Sequence, residues 1–312
     1  MPKIIAVAGS TGAQGGGLVR AIQRDPSGEF TARALTRDPG SDKANALAAL
    51  GAEVVAANID DPESLKRAFA GAHGAYCVTF YWAHISPERE LSQAKAMAEA
   101  AKHAGLQHVI WSTLEDTRKH VPLSDRRMPT LMGKYKVPHF DAKGEADQFF
   151  AGLPTTFSYA SFYWENFIYF GMGPKQGPDG VFALNLPMGN KRMTGIAADD
   201  IGACALGLFK RRDEFVGKKV GLAGDALTGA QMAEALSKAL GKPIRYNAVP
   251  LDVYRNLGFP GADDLANMFQ FYADFEPLLL ASRDVRLSRS LNPALQSFDQ
   301  WLTANASRIP LG

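Results

Sequence analysis

Apolar runs alternate with amphipathic stretches from the start of the chain to about residue 113. "KIIAVAG" (3–9) reads as a buried strand and "AQGGGLVRAIQRD" (13–25) as a helix. "FTARALTR" (30–37) alternates like a strand. "SDKANALAALG" (41–51) is helical, with Ser41 as N-cap and Gly51 at its end. "AEVVAAN" (52–58) predicts a third strand, and "DPESLKRAFAG" (61–71) a helix opened by an Asp cap and a Pro. "GAYCVTF" (74–80), a long helix over 86–105 and "HVIWST" (108–113) complete the series. Repeated strand–helix units force parallel crossovers, so the pattern predicts an α/β fold with a doubly wound parallel sheet.

The rhythm then breaks. Residues 115–138 are rich in charge and Pro and read as a long loop, followed by a helix over 141–150 and a strand over 155–161. Aromatic and Gly/Pro-rich segments follow, with separate helices at 198–210, 228–240 and 262–274. The expectation is a first domain over 1–155 and a smaller α/β C-terminal domain over 156–312, with the chain crossing between the two to form a cleft.

Composition narrows the function. At 312 residues and 46% hydrophobic, the chain has material for a sizeable core. A formal net charge of +2 argues against a general nucleic-acid binder. Cys77 and Cys204 lie in apolar stretches and read as buried thiols in a reducing, cytoplasmic setting. No apolar run approaches a membrane span, and the six histidines show no metal-ligand spacing.

Gly9, Gly12 and Gly15 stand at the first strand–helix junction. There, glycines serve a tight turn, close backbone approach to a pyrophosphate, and helix–strand packing, while the helix N-terminus attracts phosphate. A merely tight turn is the alternative reading. A site for NAD usually ends the second strand with Asp or Glu on the ribose. Here "LTRDPGSDK" puts Arg37 at that place, with Lys43 nearby, which favours a 2′-phosphate and hence NADP(H).

With these residues placed, the chain resembles the NmrA-like family of atypical short-chain dehydrogenase/reductases, and within it an NADPH-sensing, HSCARG-type branch. The resemblance rests on "GSTGAQGG" (9–16), "LTRDP" (35–39), "VTFYW" (78–82), "HFDAKGE" (139–145), "FYWENF" (162–167), "LGFPGADDLANMFQFY" (257–272) and "LNPALQSFDQWL" (291–302). It implies a Rossmann domain with a smaller α/β C-terminal domain and a nicotinamide cleft between them. It assigns Gly9, Ser10, Thr11, Gly12, Ala13, Gln14 and Gly15 to the phosphate loop, Arg37 to the 2′-phosphate, and Asn58 and Ile59 to the adenine side. Thr79, Phe80 and Tyr81 fall along the ribose, Lys143 at the nicotinamide ribose, and Tyr163, Glu165 and Asn166 beside the nicotinamide ring.

Short-chain dehydrogenases supply their proton through Tyr-x-x-x-Lys, since i and i+4 share a helix face. Here "HFDAK" puts His139 in the Tyr position, four before Lys143, with Ser112 or Thr113 as counterpart of the usual Ser. Three readings follow: a redox sensor that binds NADPH without turnover and acts through protein partners; an NADPH-dependent reductase of quinone, carbonyl or activated double-bond aromatic substrates whose acid is His139 or Tyr81; and hydride transfer to a substrate needing no protein acid. The sequence alone favours the sensor. The aromatics Tyr81, Trp82, Phe162, Tyr163 and Trp164 keep a small aromatic substrate in view. The basic 115–136 segment reads as a solvated loop, with a lid or a partner surface as alternatives. Monomer and homodimer are both compatible with the sequence.

Overall fold

The computed structural model describes all 312 residues. Six strands alternate with five helices in its first half: β1 (Lys3–Val7), α1 (Ala13–Arg24), β2 (Phe30–Thr36), α2 (Asp42–Ala49), β3 (Glu53–Ala56), α3 (Pro62–Phe69), β4 (Gly74–Cys77), α4 (Pro87–His103), β5 (His108–Thr113), α5 (Pro138–Phe150) and β6 (Thr155–Tyr159). Next come β7 (Phe162–Tyr163), α6 (Asn166–Tyr169), β8 (Lys175–Gln176), β9 (Phe182–Leu186), β10 (Arg192–Ile196), α7 (Ala198–Lys210), α8 (Arg212–Phe215) and β11 (Lys219–Gly221). The chain ends with β12 (Asp225–Thr228), α9 (Gly229–Leu240), β13 (Ile244–Ala248), α10 (Leu251–Arg255), α11 (Ala262–Asp274), α12 (Glu276–Ser282), α13 (Val285–Leu291) and α14 (Phe298–Asn305).

Seven strands form one parallel sheet in the order β11-β6-β5-β4-β1-β2-β3. The order reverses between β1 and β4, and in such sheets ligands bind outside the carboxyl ends of the strands at this switch point. The seventh strand comes from far downstream, so α7 and β11 belong to the sheet layers although their sequence lies beyond residue 156.

Period-two alternation sorts side chains to the two faces. Ile5 and Val7 pack with Leu18, Val19 and Ile22 of α1 and with Ile201 and Leu208 of α7. Ala6 and Ala8 meet Leu65 and Phe69 of α3, Met97 of α4 and Phe150 of α5. Each fully buried aliphatic side chain contributes about 1.5–3 kcal/mol. A third core, including Trp164, Phe167, Leu184, Phe269, Phe298 and Trp301, organises the C-terminal elements around two three-stranded sheets, β12-β10-β7 and β13-β9-β8.

Two boundaries differ from the sequence reading in ways that matter for the site. The fourth strand stops at Cys77, because the chain leaves the sheet and turns through a 3₁₀ segment over Tyr81–Ala83. The fifth helix starts earlier than expected, at Pro138, whose fixed φ and missing N–H suit a first helical position. His139 therefore sits in the first turn of α5, one turn before Lys143. The two cysteines are free and buried, and burial pushes both thiols up.

Candidate functional site

The glycine loop closes the switch point. Gly9 has φ +63°, and its carbonyl accepts the Gly12 N–H at 2.9 Å. Gly12 is the N-cap of α1 but offers no side-chain cap, and no acid follows in the first turn. The amides of Ala13, Gln14 and Gly15 have no partner within the protein. By contrast α2, α3, α4, α9 and α14 are capped by Ser41, Asp61, Ser86, Thr228 and Ser297. The open end of α1 is an anion site in waiting.

The later glycines have different work. A Cβ on Gly15 would lie 2.7 Å from the Gly9 carbonyl carbon, and one on Gly17 would lie 2.9 Å from Asp199 Cα. Gly17 and Gly202 together let α1 and α7 approach backbone to backbone, a pairing that the sequence alone did not reveal.

Ser10 is fully buried, and its hydroxyl donates to Leu35 O at 2.8 Å. The Gln14 side chain points under the loop: its Oε1 accepts from Tyr76 and from Ser112 (2.8 Å), and its Nε2 donates to Tyr163. Ser112 and Tyr163 are thereby engaged in holding the loop to β5 and β7. Burial pushes the Tyr163 phenol up to about 12.

At the end of β2, Arg37 is exposed and makes no ion pair or hydrogen bond in the protein; Lys43, in the first turn of α2, is likewise exposed and unpaired. Beyond β3, Asn58 closes a turn with its side chain accepting the Asp60 N–H at 3.1 Å, and Ile59 packs half-buried beside it.

Beyond β4 the chain builds a charged cluster. Lys143 Nζ lies 2.6 Å from Thr79 Oγ1 and 2.9 Å from Glu90 Oε1, and Thr79 donates to the same carboxylate. Glu90 is fully buried. Burial alone would raise its carboxyl, but Lys143, His84 and Thr79 outweigh it and hold the group at about 2. His84 accepts the Ser86 N–H on Nδ1 at 3.1 Å, which leaves its proton on Nε2, 3.5 Å from Glu90 Oε2. Phe80 is more than half exposed, whereas Tyr81 is buried with its hydroxyl unpartnered.

His139 is the second focus. Its Nδ1 lies 2.6 Å from Asp264 Oδ1, and its backbone N–H donates to Asp264 Oδ2 at 3.2 Å. Asp264 is only 2% exposed. The His139 ring lies 4.8 Å from Trp82 and 5.9 Å from Tyr81, centroid to centroid, so two aromatics flank the imidazole. Nothing in the protein bonds its Nε2.

Neither Glu90 nor Asp264 was picked out by the sequence reading. Asp264, Asn267 and Gln270 are buried at i, i+3 and i+6 on α11 and form a polar stripe, the first meeting His139 and the other two the 115–138 segment. Asn267 donates to Lys136 O and Pro129 O, and Gln270 to Arg127 O. That segment is a long irregular loop, largely exposed, that is anchored at a few buried points. Lys136 is buried with its ammonium on Asp125 O and Met128 O, both at 2.7 Å. Asp141 collects the N–H groups of Thr117, Lys136 and Val137. Asp116 pairs with Arg118 and Asp125 with Arg127, while Lys119, Arg126 and Lys134 face solvent without an acidic partner.

Two further assignments change. Thr113 donates to Asp147 at 2.6 Å and does not stand in for a catalytic Ser. The Glu165 carboxylate accepts Ala198 N–H and Trp301 Nε1–H, both at 2.9 Å, so it caps α7 instead of meeting a ligand. Asn166 begins α6, with its side chain free of internal hydrogen bonds.

An open helix N-terminus at a β1/β4 switch point, an unpaired arginine after β2 and a lysine anchored beyond β4 define a Rossmann-type dinucleotide site. The chain belongs to the NmrA-like family, whose model matches residues 1–302. A curated relative from Dictyostelium discoideum, an NmrA-like family domain-containing protein, is 26% identical over 97% of each chain. An NAD(P)H azoreductase from Xenophilus azovorans is 28% identical over 97% of this chain and 98% of its own. Among solved structures, NmrA, a negative transcriptional regulator, in complex with NADP matches with a TM-score of 0.76 at 23% identity, over 97% of this chain and 94% of that one. No helix is long and apolar enough to cross a membrane.

Proposed function

We propose that the chain is an NADP(H)-dependent oxidoreductase acting on a flat, apolar aromatic acceptor. The observation that carries this reading is the buried Asp264 beneath His139, with Nε2 left free one helical turn before Lys143. The residues present fit the cofactor: three unpartnered amides at α1 for the pyrophosphate, Arg37 and Lys43 for a 2′-phosphate, the Asn58–Ile59 turn for adenine, and Thr79, Tyr81 and Lys143 for the nicotinamide ribose.

The bound cofactor supplies a hydride, two electrons and a proton's worth of hydrogen, to the acceptor. His139 supplies the matching proton from Nε2. The Asp264 carboxylate orients the ring through Nδ1–H and stabilises the imidazolium before transfer, as a carboxylate does behind any histidine acid. Solvent then returns a proton to the imidazole. Tyr81 and Trp82 give a planar acceptor an apolar wall. The similarity to an azoreductase supports an aromatic acceptor.

A regulatory reading, in the HSCARG-type sensing branch, has one observation behind it: the position four before Lys143 holds an imidazole and not the usual phenol. Incubation with NADPH and a panel of azo dyes, quinones and enones separates the two. Rapid cofactor oxidation supports the reductase; binding with no turnover of any acceptor supports the sensor.

A further inference from the structure

A fully buried carboxylate needs a reason. Glu90 lies in the opening turns of α4, has no exposure, and meets three groups: Thr79, Lys143 and His84. Its Oε1 takes both the Thr79 hydroxyl and the Lys143 ammonium. Thr79 Oγ1 donates to Glu90 and accepts from Lys143, so a closed triangle joins the segment after β4 to α4 and α5. Behind the ammonium stands the Trp111 ring, 5.2 Å from Nζ. Oε2 has no hydrogen-bond partner, with only the His84 Nε2 near it.

An ammonium has three donors. Glu90 Oε1 and Thr79 Oγ1 take two of them at 2.9 and 2.6 Å, Trp111 closes a further side, and the third meets only the Thr79 carbonyl at a long 3.5 Å, so it is the one a ligand can draw off. A lysine on a four-carbon stem otherwise loses much rotamer freedom on binding a ligand. Removing that freedom in advance is what a buried carboxylate can do at this place. Its burial is unfavourable unless the charge is paired, and Lys143 is the one cation in contact with it.

We infer that Glu90 is a positioning residue: it fixes Lys143 so that one ammonium proton points at the nicotinamide-ribose hydroxyls of the cofactor. The inference rests on the NADP(H) site proposed above. It assigns to Glu90 a role in binding the nicotinamide half only. The adenosine half is held elsewhere, by Arg37 and the open end of α1.

The test compares two ligands by calorimetry. NADPH spans both halves, whereas 2′,5′-ADP reaches only the phosphate and adenosine contacts. E90Q preserves size and an accepting oxygen but removes the charge; it should weaken NADPH about tenfold or more and leave 2′,5′-ADP unchanged. K143M should do the same, and E90Q should cost nothing further in a K143M background, because Glu90 acts through that lysine. E90D, which keeps the charge, should recover part of the NADPH affinity. An E90Q protein that binds NADPH as tightly as the parent overturns the inference, as does equal weakening of both ligands, the mark of a merely structural role. If the parent binds neither ligand, the underlying site assignment fails instead. Should E90Q not fold, the same comparison on E90D, which keeps the charge but shortens its reach to Lys143, decides the matter: weaker NADPH binding with 2′,5′-ADP unchanged supports the inference, and parent-like NADPH binding or equal weakening of both overturns it.

Discussion

His139 Nδ1 lies 2.6 Å from Asp264 Oδ1, in a contact that joins the first turn of α5 to the first turn of α11 across 125 residues of sequence. A buried carboxylate behind an imidazole fixes both its tautomer and its direction, which leaves Nε2 without a partner in the protein. Asp264→Asn keeps the shape and loses the charge. It should lower kcat by about 10²-fold, within the range that general-acid catalysis supplies, with little change in NADPH affinity. Steady-state kinetics and calorimetry together check this; unchanged kcat would reduce the contact to a packing role.

The proposed site makes cofactor preference depend on Arg37. Because no acidic side chain in the protein pairs with it, its guanidinium is free for a 2′-phosphate. Arg37→Ala should cost about 1.5–3 kcal/mol of NADPH binding and leave NADH binding nearly unaltered. Equal affinity of the parent protein for the two cofactors would contradict the assignment.

Neighbouring glycines should respond differently to the same methyl group. At Gly12 a Cβ would sit 3.2 Å from Gly9 O, a tight fit that the loop can absorb, on the face where a pyrophosphate would lie. At Gly15 it would meet the Gly9 backbone at 2.7 Å. Gly12→Ala should therefore lose cofactor affinity at a nearly unchanged Tm, and Gly15→Ala should lower Tm itself. Thermal melts with and without NADPH distinguish the two; identical behaviour would refute the division of labour.

Acid should weaken the fold before it touches the Glu90 cluster. His108 is buried at the start of β5, with Nε2 at 2.8 Å from Thr156 Oγ1 and Nδ1 unpartnered, and burial, helped by Arg212 and His73 and opposed by Asp213, lowers it to about 4. The unfolded chain takes up this proton near its ordinary 6.5, so it binds more protons than the folded state between the two values. Stability should fall as pH drops from about 6.5 to about 4, by up to about 3 kcal/mol. His108→Gln should flatten that part of the profile in urea titrations. The paired Glu90 should show its own loss only lower, as pH falls below its ordinary 4.5 toward about 2.

The sheet was readable because parallel strands buried on both faces are continuous apolar runs, and Asp-Pro or Ser caps punctuate the helices between them. The phosphate loop and Arg37 were readable because each depends on residues adjacent in sequence. Glu90 was not: in "SPERELSQ" it resembles any exposed helix acid, and only its meeting with Lys143 distinguishes it. Asp264 left a faint signal, since it heads a polar stripe with Asn267 and Gln270 inside an apolar helix. The 115–138 segment was legible as a long exposed loop, but the contacts that anchor it were not. Lys136 bonds its backbone from within and Asp141 from α5, contacts that composition does not show. Hydrogen exchange at Thr117, Lys136 and Val137 should accordingly be slow with or without NADPH; fast exchange that cofactor suppresses would restore the lid.

The proton donor is the central claim, and His139→Gln tests it most directly. The measurement is NADPH oxidation, followed at the nicotinamide absorbance band, with an azo dye or quinone turned over by the parent protein. The variant should bind NADPH as the parent does and turn over about 10²–10⁴-fold more slowly, the loss expected when a general acid is removed. Parent-like turnover by His139→Gln would contradict the account.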